Sequence, residues 1–395
     1  MSEGQDITIR VKDAIGDIAP AAWDACANPD ATTNNPFLSH AFLDALEKSG
    51  CVRARTGWLP QHLVMEDERG GVAGAMPLYL KSHSRGEYVF DQGWADAYER
   101  AGGRYYPKLQ SSIPFTPVTG KRLLTAPGQD AARIEAALMS GALQLVDLHK
   151  ASSLHLTFLR QEEWSGHASP KLLQRTDQQF HWLNAGYASF EDFLGALASR
   201  KRKALKKERR EALSPGITVE HIGGADLTEA HWDAFFDFYP DTGDRKWGTP
   251  YLNRRFFSLV GETMAKSILL IIGRRGGRMI AGALNFIGGD ALYGRYWGAI
   301  EHHPFLHFEV CYYQAIDYAI AHRLSRVEAG AQGEHKLARG YLPQTTYSLH
   351  YLAHSGLRRA VGAFLEQERC AVAEEARALT DLAPFKKTDE AASEA

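Results

Sequence analysis

The sequence predicts an α/β chain that runs twice through one plan, and three observations carry that prediction. Two stretches repeat the element order β-β-β-α-β. The strings VAGAMPL at 72 and IAGALNF at 280 occupy the same place in each stretch, just after a Gly-Gly turn. The chain is 395 residues long, more than one core comfortably holds and enough for about two domains.

In the second stretch, Ile268 to Ile272 is a short apolar run ended by the Arg-Arg-Gly-Gly-Arg turn at 274–278. Residues 279–287, a Gly-Gly-Asp turn and residues 291–297 then complete an antiparallel meander. Phe308, Cys311, Tyr312, Ala315, Ile316, Ala319 and Ile320 share one helical stripe, on which Cys311 reads as a small core residue. Residues 326–329 form a further strand.

The first stretch offers strands at 62–65, 72–80 and 87–91, a helix at 131–148 and a strand at 153–158. Between the stretches, Phe190, Phe193, Leu194 and Leu197 make an apolar helical face. That helix is expected to continue through the basic run 199–210, until Ser214-Pro215-Gly216 stops it. The expected organisation is therefore a first domain over 1–180, a second over 181–385 and a flexible tail over 386–395. Each domain should be a mixed, mostly antiparallel sheet flanked by helices.

Bulk composition excludes several functions. Hydrophobic residues at 45% and charged residues at 23% describe an ordinary globular protein. A formal charge of -2 gives no overall attraction to DNA or a membrane, so an anionic substrate needs a local basic patch. Cys26, Cys51, Cys311 and Cys370 lie far apart, without CxxC or Cys/His spacing, which argues against a disulfide framework and against a metal site. No apolar run approaches the roughly 20 residues that span a bilayer, and the expected location is cytoplasmic.

The doubled core, with the basic helix SRKRKALKKERR opening its second copy, resembles the Fem aminoacyltransferases of peptidoglycan bridges. More closely, several strings resemble the Fem-like predicted N-acyltransferases of bacteria: NPFLSHAFLDALEKSG at 35, GEYVFDQGWADAY at 86, RKWGTPYL at 245, GRYWGA at 294 and EAGAQGEHKLARGYLP at 328. The resemblance implies two tandem GNAT-like domains, with transfer in the second and help with the acceptor from the first. It also implies transfer of an acyl or aminoacyl group to an amine, such as one on a cell-wall precursor. No sustained heptad lies between Gly216 and Ile268, where an arm for tRNA would stand. Acyl-CoA is thus the expected donor, with aminoacyl-tRNA as the alternative, although residues 299–304 lack the glycines of a pyrophosphate loop.

Amide formation requires a proton acceptor, a group to hold the oxyanion and alignment of both substrates. The densest supply is the string 328–341. Glu328 projects from an otherwise apolar strand, Glu334 or His335 could take the amine's proton, Lys336 could hold an oxyanion, and Arg339 and Tyr341 could bind substrate. The bland alternative is a solvated loop whose charges pair with one another. Arg245, Lys246, Trp247 and Tyr251 surround a Gly-Thr-Pro turn and suit a phosphate-bearing ligand. Arg295 and Trp297 are expected on one face of an aromatic strand, with Tyr296 on the other. Asp91 and Trp94 are expected on a polar-aromatic loop of the first domain. The basic run 200–210 holds eight cations and one acid, read as a solvated face before a tRNA site. The competing overall reading is a non-catalytic module that binds a nucleotide-sugar or a peptidoglycan fragment.

Overall fold

Short apolar runs punctuated by Gly and Pro become strands here, and proline and buried charge decide where they break. The computed structural model describes residues 8–386 except 215, 247–249 and 331–332, without the side chains of 240–246 and Glu334. In chain order the strands are β1 (Ile9–Lys12), β2 (Trp58–Pro60), β3 (His62–Glu66), β4 (Val72–Met76) and β5 (Tyr79–Lys81). They continue with β6 (Lys108–Ser111), β7 (Leu124–Thr125), β8 (Ser153–Leu159), β9 (Leu173–Leu183) and β10 (Ile217–Gly223). The last five are β11 (Ile268–Arg275), β12 (Arg278–Ile287), β13 (Ala291–Ala299), β14 (Arg326–Glu328) and β15 (Tyr341–Leu352).

Two compact units form. The first contains residues up to 177 together with 251–264 and 346–372, and the second contains 178–250, 265–345 and 373 onward. In the first, β1-β3-β4-β7 is an antiparallel sheet, while β15-β8-β6-β5-β2 carries one parallel pair, β6 with β8. In the second, β10 to β13 form the antiparallel meander, β13 and β14 run parallel, and β9 pairs antiparallel with β14.

The contiguous division at 180 is thus revised. β9 follows the first repeat but its end pairs with β14, and β15 follows the second repeat but its end pairs with β8. Each repeat leaves the strand after its helix open on one side. A strand from the other repeat satisfies those backbone groups, which would be costly if buried unpaired.

The meander of the second unit and the helix Ala131–Leu148 stand where the sequence puts them. Three expectations change. The strand 72–80 breaks around Pro77, which has no N–H to give a ladder, so β4 and β5 enter different sheets. Residues 87–91 form no strand, and β5 and β6 take that place. The long helix 190–210 is two helices, Phe190–Ala196 and Ser199–Leu213, because Leu197 turns extended (ψ 150°), fully buried and bridged to Phe385.

The second unit's core gathers Trp182, Phe193, Ile271, Ile280, Leu292 and Ile316, each buried. Full burial of such side chains contributes roughly 1.5–3 kcal/mol each. The helix Glu229–Lys246 also packs close to β13. A Cβ on Gly298 would stand 2.0 Å from the carbonyl oxygen of Phe238, a backbone atom that cannot swing aside. Gly298→Ala should therefore destabilise the protein by about 2 kcal/mol or more in a urea titration. Gly195→Ala, on a helix with nothing within 4 Å of the new carbon, should be neutral or slightly stabilising.

Candidate active site

The parallel pair of the second unit creates the site. β13 leaves toward the helical segment 306–321, and β14 returns beside it with Tyr293 opposite Glu328. The β12–β13 register slips by one between Leu284 and Asn285, so Leu284 faces Tyr296 while Asn285 faces Gly294. That bulge breaks the expected alternation. Arg295, Tyr296 and Trp297 all line one cleft of about 180 Å³, together with Asn285, His307, Cys311, Tyr312, His335 and Lys336. Cys311 is accordingly a half-buried wall residue instead of a core one. A single π-turn, Glu309–Tyr313, interrupts the helix beside the cleft. Such an insertion shifts the side chains that follow it around the axis.

Glu328 is 2% exposed, and its carboxylate meets Arg295 at 3.3 Å and Arg326 at 3.1 Å. Burial raises its pKa, but the charges of His181, Arg295 and Arg326 outweigh burial and leave it below the ordinary range. Arg326 continues the chain to Asp290 at 2.7 Å. Glu328 is thus an ionised clamp on Arg295, a carboxylate paired within the wall of the cleft.

Lys336 is buried, and its Nζ donates to the carbonyls of Ala329 at 2.6 Å and Gly330 at 3.0 Å, which fixes the ammonium on the cleft wall. His335 Nε2 lies 3.0 Å from the Tyr312 hydroxyl. Its ring sits among Phe308, Tyr312 and His307, and His307 packs on Trp297 at 4.9 Å.

Arg339 donates to Glu208 at 2.7 Å and lies 3.4 Å over Phe308, so it braces the wall from behind. Tyr341 is fully buried against Tyr312 and reaches no substrate space. Glu334 begins the short 3-10 helix Glu334–Arg339, and its side chain lies outside the described residues.

Most of the second expected cluster lies outside the described residues. Arg245 and Lys246 belong to the last turn of the helix Glu229–Lys246, with side chains outside the described residues, as is Trp247 altogether. Tyr251 belongs to the first unit and stacks on Phe115 at 5.0 Å. The basic helix Ser199–Leu213 turns Glu208 and Arg209 inward, to Arg339 and to Glu309, and leaves Arg200, Lys201, Lys203, Lys206, Lys207 and Arg210 exposed.

A family model described as FemAB-like, peptidoglycan biosynthesis/recognition, matches residues 14–387. The chain belongs to the FemAB-like family. Among solved structures it is similar to FemX, at 12% identity over 91% of this chain and 100% of that one, with a TM-score of 0.51. It is also similar to a conserved protein of unknown function from Bacteroides thetaiotaomicron, at 11% identity over 87% and 99%, with a TM-score of 0.55. No curated protein matches the sequence. These likenesses carry the fold, a tandem GNAT-like arrangement, and family membership makes the chain a transferase of the acyl or aminoacyl class.

Acyl-CoA needs a pyrophosphate cradle, which this fold would place at the start of the segment 306–321. The residues of this FemAB-like chain do not fit it. The N–H groups of Leu306 and Glu309 already donate to His303 and Phe305. In the same turn the fully buried Glu309 carboxylate meets Arg209 at 2.9 Å, and Asp317 shares that guanidinium at 2.7 Å. Two carboxylates to one cation satisfy the positive helix end and oppose a pyrophosphate. Among the described residues, no group of three or more His, Cys, Asp or Glu could hold a metal ion, and no helix is long and apolar enough to cross a membrane.

In the first unit, Asp91 and Trp94 are not on an open loop. Asp91 stands at the N-cap position of the helix Gln92–Arg100 without a side-chain bond to its backbone, and it accepts from buried Lys108 and from Tyr105 at 2.8 Å, while Glu87 accepts from Lys108 at 2.7 Å. Trp94 packs on His350 at 5.0 Å, and His350 Nδ1 meets His155 Nδ1 at 2.7 Å. Sequence reasoning missed this network. Its signal was the polar residues at alternate positions of SLHLTFL and KLQS, which usually mark a wet sheet face. Here that face is buried and the charges compensate each other.

Burial, with Lys108 adding, holds His155 down to about 3, and burial also holds His350 well below its ordinary 6.5. The unfolded chain takes these protons near 6.5, while the folded one resists until far lower. Stability present above 6.5 must therefore be lost as pH falls toward 3, approaching about 1 kcal/mol per pH unit for each histidine. Urea titrations across that window should show the slope, and His155→Gln with His350→Gln should flatten it.

Proposed function

We propose that the cleft between β13 and the segment 306–321 transfers an acyl or aminoacyl group from an activated ester or thioester to an amine of a cell-wall precursor. The observation that carries this is the meeting, in one small cleft, of two fixed cations, Arg295 and Lys336, with the His335–Tyr312 pair. In the proposed step the amine nitrogen attacks the carbonyl carbon. The carbonyl electrons move to oxygen, where Lys336 and Arg295 stabilise the oxyanion. His335 or Glu334 takes the amine proton, and collapse of the intermediate expels the alkoxide or thiolate, which is protonated in turn.

The misfit at Glu309 weighs against the CoA expectation, and the six exposed cations of the helix Ser199–Leu213 suit a polyanionic carrier. Aminoacyl-tRNA is accordingly the preferred donor, with RNA retention that falls steeply with salt as its first sign. Aminoacyl-tRNA and acyl-CoA donors should be offered with a peptidoglycan-precursor amine, and the amide product followed by mass spectrometry. Lys336→Met should lower the rate about 10²-fold or more, and His335→Gln should lower it less and change its pH profile. Full rates in both variants, with unchanged circular dichroism, would remove this assignment of the site.

A further inference from the structure

Asn285 is 1% exposed, on β12, and lines the cleft. Its Nδ2 donates to the carbonyls of Leu269 at 3.3 Å and Ala283 at 3.2 Å. Carbonyls only accept, so the amide nitrogen must face them and the orientation of the group is fixed by chemistry. Its Oδ1 is left buried with no hydrogen-bond partner among the described residues. A buried acceptor without a donor is costly, and proteins keep such atoms where a ligand or water supplies the donor.

Gly294 sits across the ladder from Asn285 and lines the same cleft. A Cβ at 294 would stand 3.3 Å from Oδ1, so the glycine leaves that acceptor uncapped. No carboxylate is among the described lining residues, and Glu328, which pairs with Arg295, is engaged by Arg326 as well. An ammonium ion is disfavoured there, while a neutral N–H donor meets no such opposition.

We propose that Asn285 Oδ1 recognises the acceptor as a neutral primary amine, accepting one of its N–H bonds and leaving its lone pair for attack. This rests on the transfer reading above and names the protonation state that the cleft selects. Desolvation in the cleft lowers the amine's proton affinity, and Asn285 orients the deprotonated nitrogen. Asn285 is therefore a specificity-determining residue that touches the nucleophile and takes no proton from it.

Three probes separate the elements of this inference by ligand-observed NMR on the full chain. Trifluoroethylamine is neutral near physiological pH and carries N–H, its N,N-dimethyl derivative is neutral without N–H, and n-butylamine is a cation. The wild-type protein should bind the first about tenfold tighter than either other probe, the worth of one hydrogen bond to a buried acceptor. Asn285→Leu and Gly294→Ala should each bring that advantage within about twofold. The second variant keeps both β12 hydrogen bonds and guards against misfolding of the first. Equal binding of all three probes by the wild type, no binding of any, or an advantage that survives Gly294→Ala overturns the inference. Amide formation that Gly294→Ala leaves unchanged would keep the transfer reading and remove this one, and probe selectivity without any transfer would do the reverse.

Discussion

The second unit depends on one buried carboxylate. Glu328 stands where β14 runs parallel to β13, and it holds Arg295 and Arg326 at hydrogen-bonding distance in a site that excludes water. Removing either partner would strand a buried charge, a loss of several kcal/mol, so the three residues act as a unit. The clamp fixes the bulged residue of β13, and through it the cleft wall that Tyr296 and Trp297 continue. A carboxylate that stands out on an apolar strand in sequence therefore works as the support on which the cleft is built.

The two repeats solve the same problem in different ways. Each places a parallel strand pair beside its helix, β6 with β8 and β13 with β14. In the second, the space beside the pair remains a cleft with polar walls. In the first, the corresponding strands carry Lys108, Gln110, Ser153, His155 and Thr157, all buried and mutually bonded or paired with Glu87 and Asp91. There charge compensation fills the polar face. A duplicated fold can thus keep its strand order while one copy turns its polar face into structure.

Much of the candidate site was legible before any coordinates. Lys336, His335, Arg295 and Trp297 were singled out by type and position, and they meet in one cleft. Tyr341 and Arg339 were placed on the right string, but spacing along a strand or turn does not tell a wall residue from one behind the wall. Asn285 was overlooked because a single Asn in the apolar run IAGALNF looks like an ordinary strand residue. Only its two carbonyl partners reveal the direction of its oxygen. Of the cluster expected around Arg245, only the Tyr251 side chain is described, and it packs with the first unit.

By itself the sequence determined that the fold is doubled, where the second meander turns, and that residues 328–341 concentrate polar groups beside the strand that follows the helix. These follow from local physics: hydrophobic period, Gly turns and charge placed on an apolar strand. The tertiary structure alone decided that the ends of β9 and β15 each pair with a strand of the other repeat, that a bulge brings Arg295 and Tyr296 into the same cleft, and that Glu309 occupies the helix start. Each of those outcomes is set by hydrogen-bond and charge partners distant in the chain, such as Arg209 for Glu309, or by a one-residue slip in register. Periodicity within one segment contains no information about either.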